Sequence, residues 1–216
     1  MSSSTVAAWP SPGRFALTLA AGLAFTLTCA WLWGTPLIEW LLPAAHMLLG
    51  WIDDRFDILF LGVERNRQDT VVRLRVDVAR AFFIGGQIVT ARSGWLEVTT
   101  TTGAMLQPLV IAPALAFALL AGRLSARLLA CLLAALPAFA FLLIDLPLTL
   151  HAYVWDMFID NLEPDRFSPL MVWHEFLHGG GRLGIALLLG AAGWKLASSF
   201  LSHINMLDKQ TEPDSR

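Results

Sequence analysis

Charge is scarce in this chain. Of its 216 residues only 15% are Asp, Glu, Lys or Arg, against about 25% in an ordinary soluble domain, while 56% are hydrophobic. A disordered chain requires the opposite balance. A water-soluble globule of this composition would have to expose apolar patches that soluble monomers avoid. An excess of basic charge is missing as well: the net charge is −2, which leaves no electrostatic footprint for nucleic acid. Cysteine is limited to Cys29 and Cys131, both inside apolar runs, so both read as small hydrophobes rather than as a disulfide framework. Glycine-rich phosphate loops, internal repeats and low-complexity tracts are lacking too. What is left is a composition suited to a lipid bilayer, in one domain or a small composite at roughly 150 residues per domain.

A span needs about 20 predominantly apolar residues. Phe15–Trp33 meets that length, and without a small-residue cleavage site after it the segment reads as a retained helix rather than a signal peptide. Met105–Gly122 is a second span and Leu128–Ile144 a third, bounded by Arg127 and Asp145. The fourth is expected from about Pro169 to Phe200, with Ser168 at the cap and Pro169 at the first helical position. Gly180, Gly184, Gly190 and Gly193 give that helix small faces for close helix contact. Two further apolar stretches, Pro36–Ile52 with Trp40 and Trp51, and Leu146–Phe158 with Tyr153 and Trp155, carry the aromatic signature of the headgroup level. They are expected to lie at the interface rather than to cross.

The short loop Gly122–Arg127 holds Arg123 and Arg127. By the positive-inside rule it belongs in the cytoplasm, with both termini, Arg14 and Lys209 on the same side. Of the 32 charged residues, 14 fall between Asp53 and Glu97. In that island Val72, Leu74, Val76 and Val78 alternate with Arg73, Arg75 and Asp77, the period of a half-buried strand. Gly85-Gly86 marks a turn, Gln87–Ala91 a further strand, and Trp95–Thr102 a third. The expectation is an antiparallel meander of three or four strands. Its polar face, with Arg65, Arg67, Arg73 and Arg75, is either a solvated strand face or a contact for a partner or for lipid headgroups. The fold class is therefore an all-α multi-pass membrane protein of about four helices with a small β insertion in the first extracytoplasmic loop. Its segments are 1–52, 53–102, 103–145, 146–168 and 169–216.

The second polar island contains His174-Glu175-Phe176-Leu177-His178. Residues four apart share a helix face, so both imidazoles suit one zinc ion, with the glutamate as general base on a zinc-bound water. This H-E-x-x-H stretch resembles the zincin metallopeptidases, and Gly181 matches the glycine of their extended form, although Gly184 stands where that form has a third histidine. The resemblance implies a zinc hydrolase with His174 and His178 as ligands, Glu175 as catalytic base and a third ligand elsewhere. Asp145, His151, Asp156, Asp160, Glu163 and Asp165 all precede the motif, and none of them stands out. The competing reading is structural. Gly179, Gly180 and Gly181 follow the motif directly, and each costs about 1 kcal/mol of helix propensity, which suits a break or a close contact better than a rigid active-site helix. Arg182, if it faces the bundle, needs an acid, and Asp145 at the matching end of the third span is the natural one.

The order of elements, one span, a strand loop, a tight apolar hairpin and a last span, resembles the small accessory membrane proteins that accompany bacterial exosortases. Gln107-Pro108-Leu109 and Leu136-Pro137 in the hairpin carry that likeness. It implies an accessory role in surface-protein processing at the bacterial inner membrane, without catalytic residues. Exosortase-like transpeptidases themselves use a membrane cysteine with Arg and His; Leu129-Ala130-Cys131-Leu132 lacks that context, so Cys131 is not read as a nucleophile. Two functions are thus carried forward. One is a non-enzymatic accessory or assembly protein with no cofactor, meeting lipid and a membrane-protein partner or a second copy through the β-rich loop and the glycine-rich last helix. The other is the zinc metallopeptidase.

Overall fold

The computed structural model describes residues 11–211 apart from 67, 68, 93 and 122, with backbone only for 204–211. It is mostly helical, with four long apolar helices and a small antiparallel sheet. The elements run α1 (Pro12–Ile52), β1 (Phe56–Asn66), β2 (Asp69–Val78), β3 (Phe82–Ile84), β4 (Gln87–Val89), β5 (Trp95–Thr101), α2 (Thr102–Leu119), α3 (Leu124–Leu162) and α4 (Pro169–Phe176). A π-helical turn at Leu177–Gly181 then leads into α5 (Arg182–Thr211). Two compact units emerge, one drawn from Met1–Cys29, Pro108–Phe139 and Leu183–Arg216, the other from Ala30–Gln107 and Ala140–Arg182.

The first unit is helical and packed through small side chains. Its buried cluster is Ala112, Ala116 and Leu120 of the α2 region, Ala130, Ala134 and Ala138 of α3, and Ala197 of α5. A methyl group added at Gly22 would lie 3.3 Å from the Ala114 carbonyl oxygen, one at Gly190 2.8 Å from that of Ala112, and one at Gly193 2.7 Å from Ala134 Cβ. Glycine at these positions lets the helix backbones approach closely. The most apolar stretch of α2 is 56% buried, against 6% for that of α1, so α2 is more enclosed than α1. Cys131 Sγ donates to the Pro113 carbonyl at 3.4 Å. Its side chain is half-buried.

The second unit is built on the C-terminal part of α1, the sheet and the C-terminal part of α3. In β2, Val72, Leu74, Val76 and Val78 are buried while the residues between them are partly exposed. The sheet order is β1-β2-β5, all antiparallel, with β3-β4 as a separate hairpin inserted before β5. The expected meander is corrected in two respects: β1 is an 11-residue strand that the sequence pattern did not mark, and β4 pairs with β3 rather than joining the main sheet. Ile38, Leu41, Ala45 and Leu49 form the buried stripe of α1, and Leu142, Leu146, Leu150 and Val154 that of α3.

Those stripes explain a second difference. Pro36–Ile52 and Leu146–Phe158 are not separate interfacial pieces. Each is the continuation of a long helix, α1 passing through Pro36 and Pro43, α3 through Pro137 and Pro147. Burial of one apolar face outweighs the missing proline hydrogen bonds, each of which would break an unsupported helix.

Candidate functional site

The last polar island folds into a seam between α3 and the α4–α5 region. On α3, Asp145, Thr149, Tyr153 and Asp156 recur at helical spacing. Opposite them stand His174 and His178, four residues apart, and Arg182 beyond the π turn.

The inner end of the seam is an ion pair. Arg182 Nε donates to Asp145 Oδ2 at 2.8 Å, and its second nitrogen reaches Asp145 Oδ1 at 3.3 Å. Thr149 Oγ1 accepts from Arg182 at 2.8 Å and donates to Asp145 at 2.8 Å. Asp145 is 1% exposed and Arg182 3%. The acid expected for Arg182 is in place, and the threonine satisfies a further donor. A buried pair is tolerable only with this degree of hydrogen bonding.

Outward along the seam the motif residues follow. The His174 and His178 ring centroids are 4.6 Å apart. The Tyr153 ring stands edge-on to His174 at 4.6 Å, and its hydroxyl lies 2.6 Å from His178 Nε2. His174 Nε2 is shielded from solvent and finds no hydrogen-bond partner among the described residues. Glu175 and His178 are exposed on the chain's surface. The π turn begins at Leu177, and Gly180 within it adopts φ +106, a left-handed backbone that only glycine takes without strain. The break anticipated from the three glycines is therefore real. Ser168 occupies the N-cap position of α4 and Pro169 its first turn, but the serine side chain makes no capping bond.

A catalytic zinc site takes three protein ligands and an open position. Among the described residues no group of three His, Cys, Asp or Glu is placed to hold a metal ion, and His178 Nε2 is engaged by Tyr153.

A second polar cluster went unread in the sequence. Asp53, buried just after α1, accepts from the Arg55 backbone N–H at 3.0 Å, from the Arg55 guanidinium at 2.8 Å through each oxygen, and from Trp155 Nε1 at 3.2 Å. His151 Nε2 is 3.8 Å away. Burial pushes the Asp53 carboxyl up, but the Arg55 side-chain and backbone hydrogen bonds outweigh it and hold the group below its ordinary value. Arg55 in turn stacks on Trp155, 4.6 Å from the ring centre. Phe56, Phe82 and Phe158 complete an aromatic cluster that pins β1 and the β3–β4 hairpin to α3.

The arginines of the sheet face are largely paired internally. Arg73 bridges Glu64 and Glu97, and Arg75 binds Glu97 at 2.7 Å while stacking on Trp95. Arg65 is exposed; Arg67 lies outside the described residues. Comparison with known proteins gives no matching family model, no matching curated protein and no matching solved structure.

Proposed function

We propose that this chain is a multi-pass membrane protein with an accessory, non-enzymatic role, whose β-bearing unit docks a partner protein. The observation that carries this reading is the outer face of the β3–β4 hairpin. Phe83 and Ile88 are cross-strand partners, and they are 69% and 68% exposed. Their neighbours Phe82 and Ile84 turn inward instead. A directly opposed apolar pair held out from a small sheet marks an interaction surface rather than a solvated one. Helix length supports placing it in water. Some 20 residues of α3 suffice to cross the hydrocarbon core. From Asp145 to Leu162 the helix extends about 27 Å further at 1.5 Å per residue, and a side chain at Gly85, between the paired residues, would run into the Leu162 carbonyl. The hairpin is thus seated at the far end of that extension.

The last helix contributes differently from the sequence expectation. Gly190 and Gly193 are used inside the chain, against Ala112 and Ala134. Gly180 and Gly184 have nothing within 4 Å among the described residues, so they offer the lateral face for a membrane-protein partner or a second copy. Arg123 and Arg127 in the short loop support an orientation with both termini cytoplasmic, and the bacterial inner membrane is proposed from the layout's likeness to exosortase accessory proteins. The layout's likeness to exosortase accessory proteins makes a surface-protein-processing enzyme the partner class. The zinc peptidase alternative is disfavoured by the Tyr153–His178 contact.

The test is a photo-crosslinking residue at Phe83 in cells, with Leu188 on the exposed face of α5 as the lipid control. A discrete protein adduct at Phe83, lost with Ile88→Asp while the protein level holds, is the expected result. Adducts to lipid alone at both positions would sink the docking reading.

A further inference from the structure

A groove of about 440 Å³ lies in the second unit, lined by Glu39, Leu42, Pro43 and His46 of α1 and by Ile58–Leu61 of β1. The two walls differ in kind. Positions 39, 42, 43 and 46 are one face of a helix. Four consecutive strand residues, by contrast, send their side chains alternately to opposite faces of the sheet. The slip between Ile58 and Phe60 interrupts that alternation, and Leu59 and Phe60 are both exposed at the groove. The other edge of β1 is open: β2 is the only strand that pairs with β1 among the described residues. The slip also leaves Leu59 without a partner in the ladder. Bulges of this kind re-aim a strand next to a site.

We infer that this groove takes an extended peptide segment of another protein, which adds to the β1 edge and sets a basic side chain against Glu39. Backbone amides and carbonyls at an open edge are satisfied by another strand, and the size falls within the range of ligand pockets, about 300–1,000 Å³. Apolar side chains of the segment face Leu42, Pro43 and the exposed Leu59 and Phe60. Glu39 is exposed at the groove, and its charge selects a cation. The site is separate from the Phe83–Ile88 surface and shares with the docking reading only the placement of the sheet in water.

The full chain in phosphatidylethanolamine–phosphatidylglycerol nanodiscs tests it with labelled ten-residue peptides of alternating Thr and Val. One carries a central Lys, one a central Glu, and a third is the Lys peptide N-methylated at alternate residues; fluorescence anisotropy is the readout. The Lys peptide binds and empty nanodiscs do not. N-methylation weakens binding about tenfold or more, since two or three backbone hydrogen bonds are lost. Glu39→Lys reverses the Lys-over-Glu preference, and Leu59→Arg, at an exposed strand position, lowers binding of both peptides. Absence of binding, equal binding of the N-methylated peptide, or an unchanged preference in Glu39→Lys overturns the inference. Because no step uses the hairpin, loss of the Phe83 adduct with peptide binding intact points to failure of the docking reading alone.

Discussion

Arg182 and Asp145 are 37 residues apart in sequence and form a bidentate ion pair with almost no exposure to solvent. The pair fastens the start of α5 to α3 at the point where the π turn ends. Removing one partner strands the other as a buried charge, a loss of about 3–5 kcal/mol, whereas replacing both with apolar residues of similar volume is close to neutral. Asp145→Leu and Arg182→Met should therefore each lower the unfolding midpoint in detergent by many degrees, and the double variant should recover most of it. Additive losses in the double variant would contradict this account.

The glycines of α5 divide into two classes. Gly190→Val drives side-chain carbons into the Ala112 carbonyl and Leu115, and overpacking of this kind costs about 1–3 kcal/mol. Gly184→Val has open space around it. Thermal stability should fall for the first and hold for the second, while crosslinking to a neighbouring membrane protein should respond only to the second.

Asp53 supplies the acid limb of stability. Its folded-state carboxyl titrates below its ordinary value, and the unfolded group titrates near 3.9. A depressed folded pKa contributes stability that is fully present above the unfolded value and is lost as the pH falls below about 4 through the folded one. Between pH 5 and pH 2 the wild-type protein should lose more stability than Asp53→Asn, which is weaker at neutral pH but flatter in acid. Parallel pH profiles for the two proteins would remove Asp53 from the explanation.

Metal content separates the two functions directly. Purified wild type and His178→Ala should carry the same, substoichiometric zinc by elemental analysis. One zinc per chain in wild type, lost in His178→Ala, would restore the peptidase reading.

Sidedness is tested with single cysteines in a Cys29→Ser, Cys131→Ser background. A cysteine at Asn66 should react with an impermeant maleimide on intact cells, and one at Ser125 only after permeabilisation. The reverse pattern would invert the topology.

Some of this architecture was legible from residues alone, for physical reasons. The Val72–Val78 alternation identified β2 because one face of that strand is buried and the other is not. The neighbouring strand escaped notice because Phe56–Leu61 is a mixed apolar run whose phase is broken by the slip between Ile58 and Phe60. Arg182 demanded an acid because a cation in an apolar bundle cannot stand alone, and Asp145 was the one at the right height. Thr149 and Tyr153 were not legible as site residues because Tyr153 and Trp155 give 146–158 the aromatic signature of an interfacial segment, which hides its helical face. The adjacency of His174 and His178 follows from their spacing. The tyrosine that occupies His178 comes from another helix, and nothing local to the motif announces it.

The enclosure of α2 bears on how the chain is made. The helix is only 18 residues long and more than half of its apolar stretch is covered. Of the close contacts that cover it, those of Ala112 and Leu115 come from Gly190, synthesised some 80 residues later. During translation that surface must wait for its partner. A chain stalled before α5 would hold α2 with an alanine-lined flank bare, which makes the interval between the second and last helices the stage at which a membrane insertase or quality-control protease has most to recognise.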